Sequence, residues 1–414
     1  MDSKTIAVLA ALDTKAPEAR FIAEVIKQRG HLPLMIDTGV LKDPQESADV
    51  PSRELAAAGG VDLEALRRTG DKALAMDVMV RGAAVVAANL YATGRFHGVI
   101  GIGGSAGTAI GSSAMRALPL GIPKLLVSTM AAGDVRSYVG NKDITMTYSV
   151  VDIAGLNRIS ARVLANAAGG IVGMVETELP LRKDRPLVGA SMFGNTTACV
   201  DRARQLMEAA GFEVLVFHAT GAGGATMESL IVDGYLDGVL DLTTTEWADE
   251  LCGGICSAGP TRLDAAGNAG IPQVVAPGCL DMVNFGSYDA VPARYRERKL
   301  YRWNPNVTLM RTNVIENGRL GIILAEKINR SVGPVTVLLP LGGLSQLDSE
   351  GGAFWWPEAD QALFDAVRQH LRADIPIIEL PVNINDRLFA DRAAQTILAM
   401  MAQVVSRKPL LSTP

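Results

Sequence analysis

Hydrophobic positions fall into short runs without alternation, each closed by a polar or glycine-rich turn and followed by a stretch of helical period. Thr5–Ala11 is the first such run, apolar throughout as expected of a strand buried on both faces of a parallel sheet. It ends at Leu12-Asp13-Thr14-Lys15. Ala16–Arg29 then repeats apolar residues at Phe21, Ile22, Val25 and Ile26, with Gly30 at the C-cap position of a helix. Leu32–Asp37 completes a βαβ unit. Residues 39–70 are polar and turn-rich, which predicts an excursion with one short helix at Leu63–Arg68. Asp71–Tyr91 predicts a long amphipathic helix ending near Gly94. His97–Ile100 reads as the central strand, Ala109–Leu118 as its helix and Ile122–Val127 as the next strand. Val150–Ala168 reads as a helix and Ile171–Val175 as a last strand.

Leu179–Pro186 breaks the pattern with two prolines and four charges, and predicts a boundary between domains 1–182 and 183–414. The alternation restarts beyond it. Leu187–Ser191 is a strand, Ala198–Ala210 a helix, Phe212–His218 a strand and Ala219–Glu228 a glycine turn. Gly238–Asp241, Val335–Leu339 and Ile375–Leu380 read as further strands, with helices at Asn313–Arg330 and 386–405. The long loop Pro340–Pro357 is of a length that suits a functional or interfacial role. The expected fold is α/β: two Rossmann-like, doubly wound domains with mostly parallel sheets.

The candidate chemistry centres on Gly101-Ile102-Gly103-Gly104-Ser105-Ala106-Gly107-Thr108, a glycine-dense turn between a strand and a helix. Glycine lets backbone approach a ligand closely, and the first turn of a helix offers unpaired N–H groups and the positive end of its dipole. The expected ligand groups are phosphates, held by Gly103, Gly104, Ser105, Gly107 and Thr108. The stretch matches neither G-x-x-x-x-G-K-[ST] nor a clean G-x-G-x-x-G, and a tight packing turn is the alternative. Ligands of open α/β sheets bind at the carboxyl ends of strands, which adds Asp13, Thr14, Lys15, Asp37 and Thr38. Lys15 would act as a point charge on phosphate and Asp37 as a partner for a ribose hydroxyl, while Asp13 and Thr14 serve equally well as helix caps. Ser128, Thr129 and Gly133 would share the ligand if their strand neighbours the central one. Asn141-Lys142-Asp143 reads as a lid.

In the second half, residues 220–226 form another anion turn by the same pattern. His218, Glu228 and Glu246 flank it and are the candidate catalytic groups, the carboxylates as acid, base or Mg²⁺ ligand. Nothing in their spacing requires that role, and a structural role for His218 is the alternative. Cys252-Gly-Gly-Ile-Cys256 has no second Cys pair or His cluster beside it, so no metal is assigned. A net charge of −5 without a Lys/Arg cluster among aromatics argues against nucleic acid. With no signal peptide and no apolar run of about 18 residues, the expectation is a cytoplasmic protein without a membrane span.

The chain resembles the Tm-one-like ATP-binding family, relatives of the N-terminal ATP-binding region of a plant tomato mosaic virus resistance protein. The resemblance rests on Ile6–Leu9 through Leu12–Lys15, Asp37-Thr38-Gly39-Val40, Gly103–Thr108, Ser128–Ala131, Ser191–Gly194 and Phe217–Gly224. It covers nearly the whole chain, apart from the plant members' C-terminal barrel. It implies two Rossmann-like domains, ATP or a related nucleotide at the first domain's glycine loop, with or without Mg²⁺, and homo-oligomers of two or more chains. It implies no reaction. Three readings follow: an ATP-using enzyme acting on a small anionic metabolite in an interdomain cleft; a non-catalytic, nucleotide-responsive regulatory protein; and, less well matched, an NAD-dependent oxidoreductase.

Overall fold

Two parallel sheets, one in each of two units, Met1–Leu181 and Arg182–Pro414, organise the computed structural model, which describes residues 2–44, 47–178 and 185–407. The expected boundary at 182 and 183 lies outside the described residues.

The first unit carries β1 (Thr5–Ala10), β2 (Leu32–Asp37), β3 (Gly98–Gly103), β4 (Lys124–Ser128) and β5 (Thr145–Tyr148), in the order β2-β1-β3-β4-β5. All neighbours are parallel. Successive residues of a strand face opposite sides, so β1 feeds two cores. Ala7 and Leu9 pack with Val78, Met79 and Ile110, whereas Ile6 and Val8 pack with Ile22 and Ile171 on the other face. Burial on both sides explains the unbroken apolar runs. The order reverses between β1 and β3, and their carboxyl ends border the crevice where such sheets bind ligands.

Several local expectations give way to tertiary context. Ile171–Val175 is not a strand but the end of one helix, Arg158–Glu176. Within that helix Gly170 is a contact point: a Cβ there would lie 3.4 Å from Leu125. The fifth strand is the short β5 instead. The first helix runs Leu12–Gln28 and bends at Lys15, two residues before Pro17. The excursion holds two helices, Ser52–Ala58 and Leu63–Thr69. Asn141–Asp143 is no lid, because the Asp143 carboxylate accepts from the buried Lys124 Nζ at 2.7 Å and from Gly121 N at 2.9 Å. Contrary to expectation, Lys72–Ala92 is a helix long and apolar enough to cross a membrane. Its small residues have a packing reason: at Gly82 a Cβ would fall 1.8 Å from the Leu55 carbonyl oxygen, so glycine lets this helix lie against Ser52–Ala58.

The second unit carries β6 (Leu187–Met192), β7 (Glu213–His218), β8 (Gly238–Thr243), β9 (Gln273–Gly278), β10 (Met282–Phe285), β11 (Leu300–Asn304), β12 (Val307–Arg311), β13 (Val335–Pro340) and β14 (Ile377–Leu380). Its six-stranded sheet runs β14-β13-β9-β8-β6-β7, with the same kind of reversal between β6 and β8. Helices Thr197–Ala209 and Arg387–Arg407 cover one face through Val200, Ala203, Phe389 and Ile397, and Val314–Ile328 and Pro357–His370 cover the other through Leu320, Leu324, Leu363 and Phe364. A separate antiparallel sheet, β10-β12-β11, was not anticipated. Part of the basic segment 294–302 belongs to it, and Arg298 pairs with Glu316 at 2.7 Å.

Candidate functional site

A cavity of about 400 Å³ opens at the carboxyl ends of β1 and β3, at the reversal of the first sheet. Three segments and one helix start form its wall: Ala11–Lys15, Thr38–Leu41, Gly104–Gly107, and Lys72 with Ala75 and Met76. The helix after β3 starts at Ser105, earlier than its apolar period indicates, so Ser105, Ala106 and Gly107 are its first turn. First-turn N–H groups have no partner within their own helix. The N-cap is Gly104, which has no side chain to offer them.

Two neighbouring glycines do different work. A Cβ on Gly103 would lie 2.5 Å from the Gly107 Cα, so glycine is needed for the helix to start directly on the strand. A Cβ on Gly104 would meet only Thr129 Oγ1, at 3.8 Å. Gly103→Ala is therefore expected to lower the thermal stability of the first domain, by about 1–3 kcal/mol for an overpacked site; an unchanged melting temperature would refute that steric role.

Thr108 and Ser128 lie beneath the loop and outside the cavity wall. Thr108 Oγ1 donates to the Gly104 carbonyl at 2.7 Å and lies 2.6 Å from Ser128 Oγ, which accepts from Met130 N at 2.9 Å. The strand pairing Gly103↔Ser128 brings the two turns together as expected. They share a hydrogen-bonded support; Ser128, Thr129 and Gly133 do not share the cavity.

Asp13, Thr14 and Lys15 line the cavity. Asp13 Oδ2 accepts from Leu41 N at 2.9 Å and Oδ1 from Thr14 Oγ1 at 3.2 Å. A Cβ on Gly39 would sit 2.6 Å from Asp13 Cγ, so that glycine admits the carboxylate. Lys15 Nζ donates to the Ile153 carbonyl at 2.5 Å. Asp37 is 1% exposed and stands outside the wall. Its Oδ1 accepts from Leu12 N at 2.9 Å and Gly39 N at 2.8 Å, so Asp37, rather than Asp13 or Thr14, caps the first helix. Burial raises its pKa, with those two hydrogen bonds opposing. Thr38 lines the cavity as its place at a strand end suggests, Gly39 and Val40 were legible only through the family motif, and Lys72, Ala75 and Met76 carried no local signal.

The second glycine turn is built alike and filled from within. Glu246 Oε1 accepts from Gly221 N at 2.8 Å and Gly224 N at 3.1 Å, at the start of helix Ala222–Val232. Its other oxygen accepts from Arg262 Nε at 2.6 Å. Arg262 also grips Asp241 through both terminal nitrogens, at 2.5 and 2.6 Å, and reaches Glu228 at 3.2 Å. Glu228 holds Leu263 N and Ala265 N, each at 2.8 Å, and burial raises its pKa against the pull of Arg262. Glu228 and Glu246 are thus ligands of a buried guanidinium, not acid–base groups facing a substrate. The turn at 220–226 holds an internal carboxylate where an external anion was expected. His218 is exposed and stacks on Phe193, with ring centroids 5.3 Å apart. Cys252 and Cys256 are buried, which pushes their thiols up to about 11 and about 12. Among the described residues, no group of three or more His, Cys, Asp or Glu is placed to hold a metal.

Family models match both halves: the uncharacterised protein family (UPF0261) N-terminal domain over residues 4–180 and its C-terminal domain over 185–401. A UPF0261 protein of Clostridium tetani is 48% identical over 96% of this chain and 99% of its own length. The ToMV resistance protein Tm-1(GCR237) of Solanum lycopersicum is 37% identical over 96% of this chain but 56% of its own length, so the kinship with the plant protein stands. Among solved structures, UDP-N-acetylglucosamine 2-epimerase from Rickettsia bellii covers 98% of each chain at 10% identity, with a TM-score of 0.23, a likeness too slight to bear on function.

Proposed function

The chain belongs to the UPF0261 protein family, and we propose that its N-terminal domain binds ATP or a related nucleotide, with the phosphates on the 103–108 loop. One observation carries the reading. Of two glycine turns built on the same plan, the second is filled by the Glu246 carboxylate, whereas the first turns its helix start toward a cavity. An anion belongs at such a start, and phosphate is the anion this loop suits.

The rest of the wall fits the rest of a nucleotide. Lys15 and Lys72 supply positive charge, and Val40, Leu41, Met76 and Ile110 supply an apolar side for a base. Asp13, the carboxylate in the wall, would be the ligand for a Mg²⁺ ion accompanying the phosphates. The glycine loop follows β3, whereas a dinucleotide fingerprint occupies the first βα turn; here that turn is Ala11–Lys15 and has no glycine. This weighs against the NAD reading. The enzyme reading loses the turn meant for its anionic substrate, so the favoured output is a conformational response to nucleotide in a self-associating protein.

Calorimetric titration with ATP, with and without Mg²⁺, tests this on wild type and on Gly104→Val. The variant has room for its Cβ, so the fold is retained while the valine methyls crowd the first-turn amides. Binding by the wild type, weakened at least about tenfold in the variant, about 1.4 kcal/mol, is expected. Equal affinity in both would remove the loop from the site. Light scattering of the same samples reads self-association.

A further inference from the structure

A cavity of about 260 Å³ lies wholly within the C-terminal domain, where the turns after β6 and β7 meet the antiparallel sheet. Its wall combines aromatic faces with neutral amides. Phe193 and His218 stack on each other, Trp303 projects from edge strand β11, and Asn195, Asn284 and Thr220 supply polar groups. Among the described residues, no Lys, Arg, Asp or Glu lines it.

Both buried amides are fixed from behind. Asn284 is 1% exposed, and its Nδ2 donates to Asp249 Oδ2 at 2.8 Å, which settles which end of the amide is the acceptor. Asn195 is also 1% exposed; its Nδ2 donates to the Met282 sulfur at 3.6 Å, and its backbone carbonyl accepts from Gln346 N at 3.0 Å and from Asn385 Nδ2 at 2.9 Å. The Oδ1 atoms of Asn195 and Asn284 have no hydrogen-bond partner among the described residues. Buried acceptors are normally satisfied, so the site has unmet capacity for donors. A phosphate or carboxylate would meet two unpartnered acceptors and no lysine or arginine here, and an ammonium would be buried without a carboxylate counter-charge. Hydroxyl groups meet neither objection. The volume lies below the range usual for drug-sized ligands.

We propose that this cavity binds a neutral, polyhydroxylated metabolite of monosaccharide size, its hydroxyls donating to Asn195 and Asn284 and its C–H face lying on Trp303 and the Phe193–His218 pair. The site is separate from the nucleotide cavity and does not depend on that reading.

Saturation-transfer NMR on the full chain tests it with neutral aldopentoses, aldohexoses and hexitols, with hexose phosphates and aldonic acids as the anionic arm and glucosamine as the cationic arm. At least one neutral sugar or polyol is expected to bind in the millimolar range or better, and to bind about tenfold more weakly in Trp303→Ala and in Asn284→Leu. If Asn284→Leu fails to fold, Trp303→Ala, at a half-exposed edge position, decides alone. No binding by any neutral compound, binding confined to the charged arms, or binding unchanged in Trp303→Ala would each overturn the proposal.

Discussion

Arg262→Ala is expected to unfold the C-terminal domain under conditions in which the wild-type protein is fully folded. The Arg262 side chain is 1% exposed and faces three carboxylates, from β8 (Asp241), helix Ala222–Val232 (Glu228) and helix Glu246–Cys252 (Glu246). Removing the guanidinium leaves those carboxylates without their cation. Breaking one buried pair by deleting a partner costs about 3–5 kcal/mol, and a domain's whole stability is about 5–15 kcal/mol. The loss also spreads. Asp241 Oδ1 accepts from Ser191 Oγ at 2.6 Å and Glu246 caps the 220–226 turn, so β6, β8 and the glycine turn meet in one network. The direction of the Arg262 pKa reports the same balance: burial pulls it down, yet the facing carboxylates, Asp241 first, hold it well above the usual value. Arg262→Lys is expected to fall between, because one ammonium cannot span Asp241 and Glu246 as the planar fork does. Urea unfolding followed by far-UV circular dichroism measures both. A loss under about 1 kcal/mol for Arg262→Ala would mean that solvent reaches the cluster and that the network is ornamental.

What the sequence shows of this molecule and what it conceals divide on physical lines. Strands buried on both faces announce themselves as unbroken apolar runs, so β1, β3, β4, β6 and β8 were legible, and the glycine loop marked the carboxyl end of β3. Ile171 and Val172 are β-branched and follow two glycines, which locally favours a strand. Their burial against the first sheet, through one face of a helix, overrides that preference. The strands β10, β11 and β12 are four or five residues of mixed polarity, and Leu300–Asn304 is mostly exposed, so no period of two emerges. The acids were hardest to read. Asp37 and Glu246 each cap a helix start 25 residues earlier in the chain, a pairing created only where the fold gathers the carboxyl ends of strands, β2 lying beside β1 and β8 one strand away from β7. Local reading makes such a carboxylate a ligand for something external. The fold makes it internal, and that difference separates the two glycine turns.

Asp249 sets an expected pH dependence for the same domain. Its side chain is fully buried, and its carboxylate accepts from Cys256 N at 3.0 Å, Asn284 N at 3.1 Å and Asn284 Nδ2 at 2.8 Å. These bonds favour the charged form, but burial outweighs them, with the negative charge of Glu246 adding to it, and the pKa is pushed up to about 7 from 3.8. A carboxyl with a raised folded-state pKa keeps a proton that the unfolded chain gives up. Its contribution to stability is therefore complete below 3.8 and is lost as the pH rises through about 7. A shift of roughly three units corresponds to about 4 kcal/mol. Asp249→Asn removes the titration, so urea unfolding of wild type is expected to lose several kcal/mol more than the variant between about pH 4 and about pH 8. Equal losses in the two proteins would show that Asp249 is charged throughout and that its hydrogen bonds prevail over burial. The substitution also places an amide N–H₂ against Asn284 Nδ2, a conflict relieved when the Asn284 amide turns over. The neighbouring cavity then presents a donor where it presented an acceptor, so Asp249→Asn is expected to change the cavity's preference for hydroxyl donors even at a pH where the stabilities of the two proteins coincide.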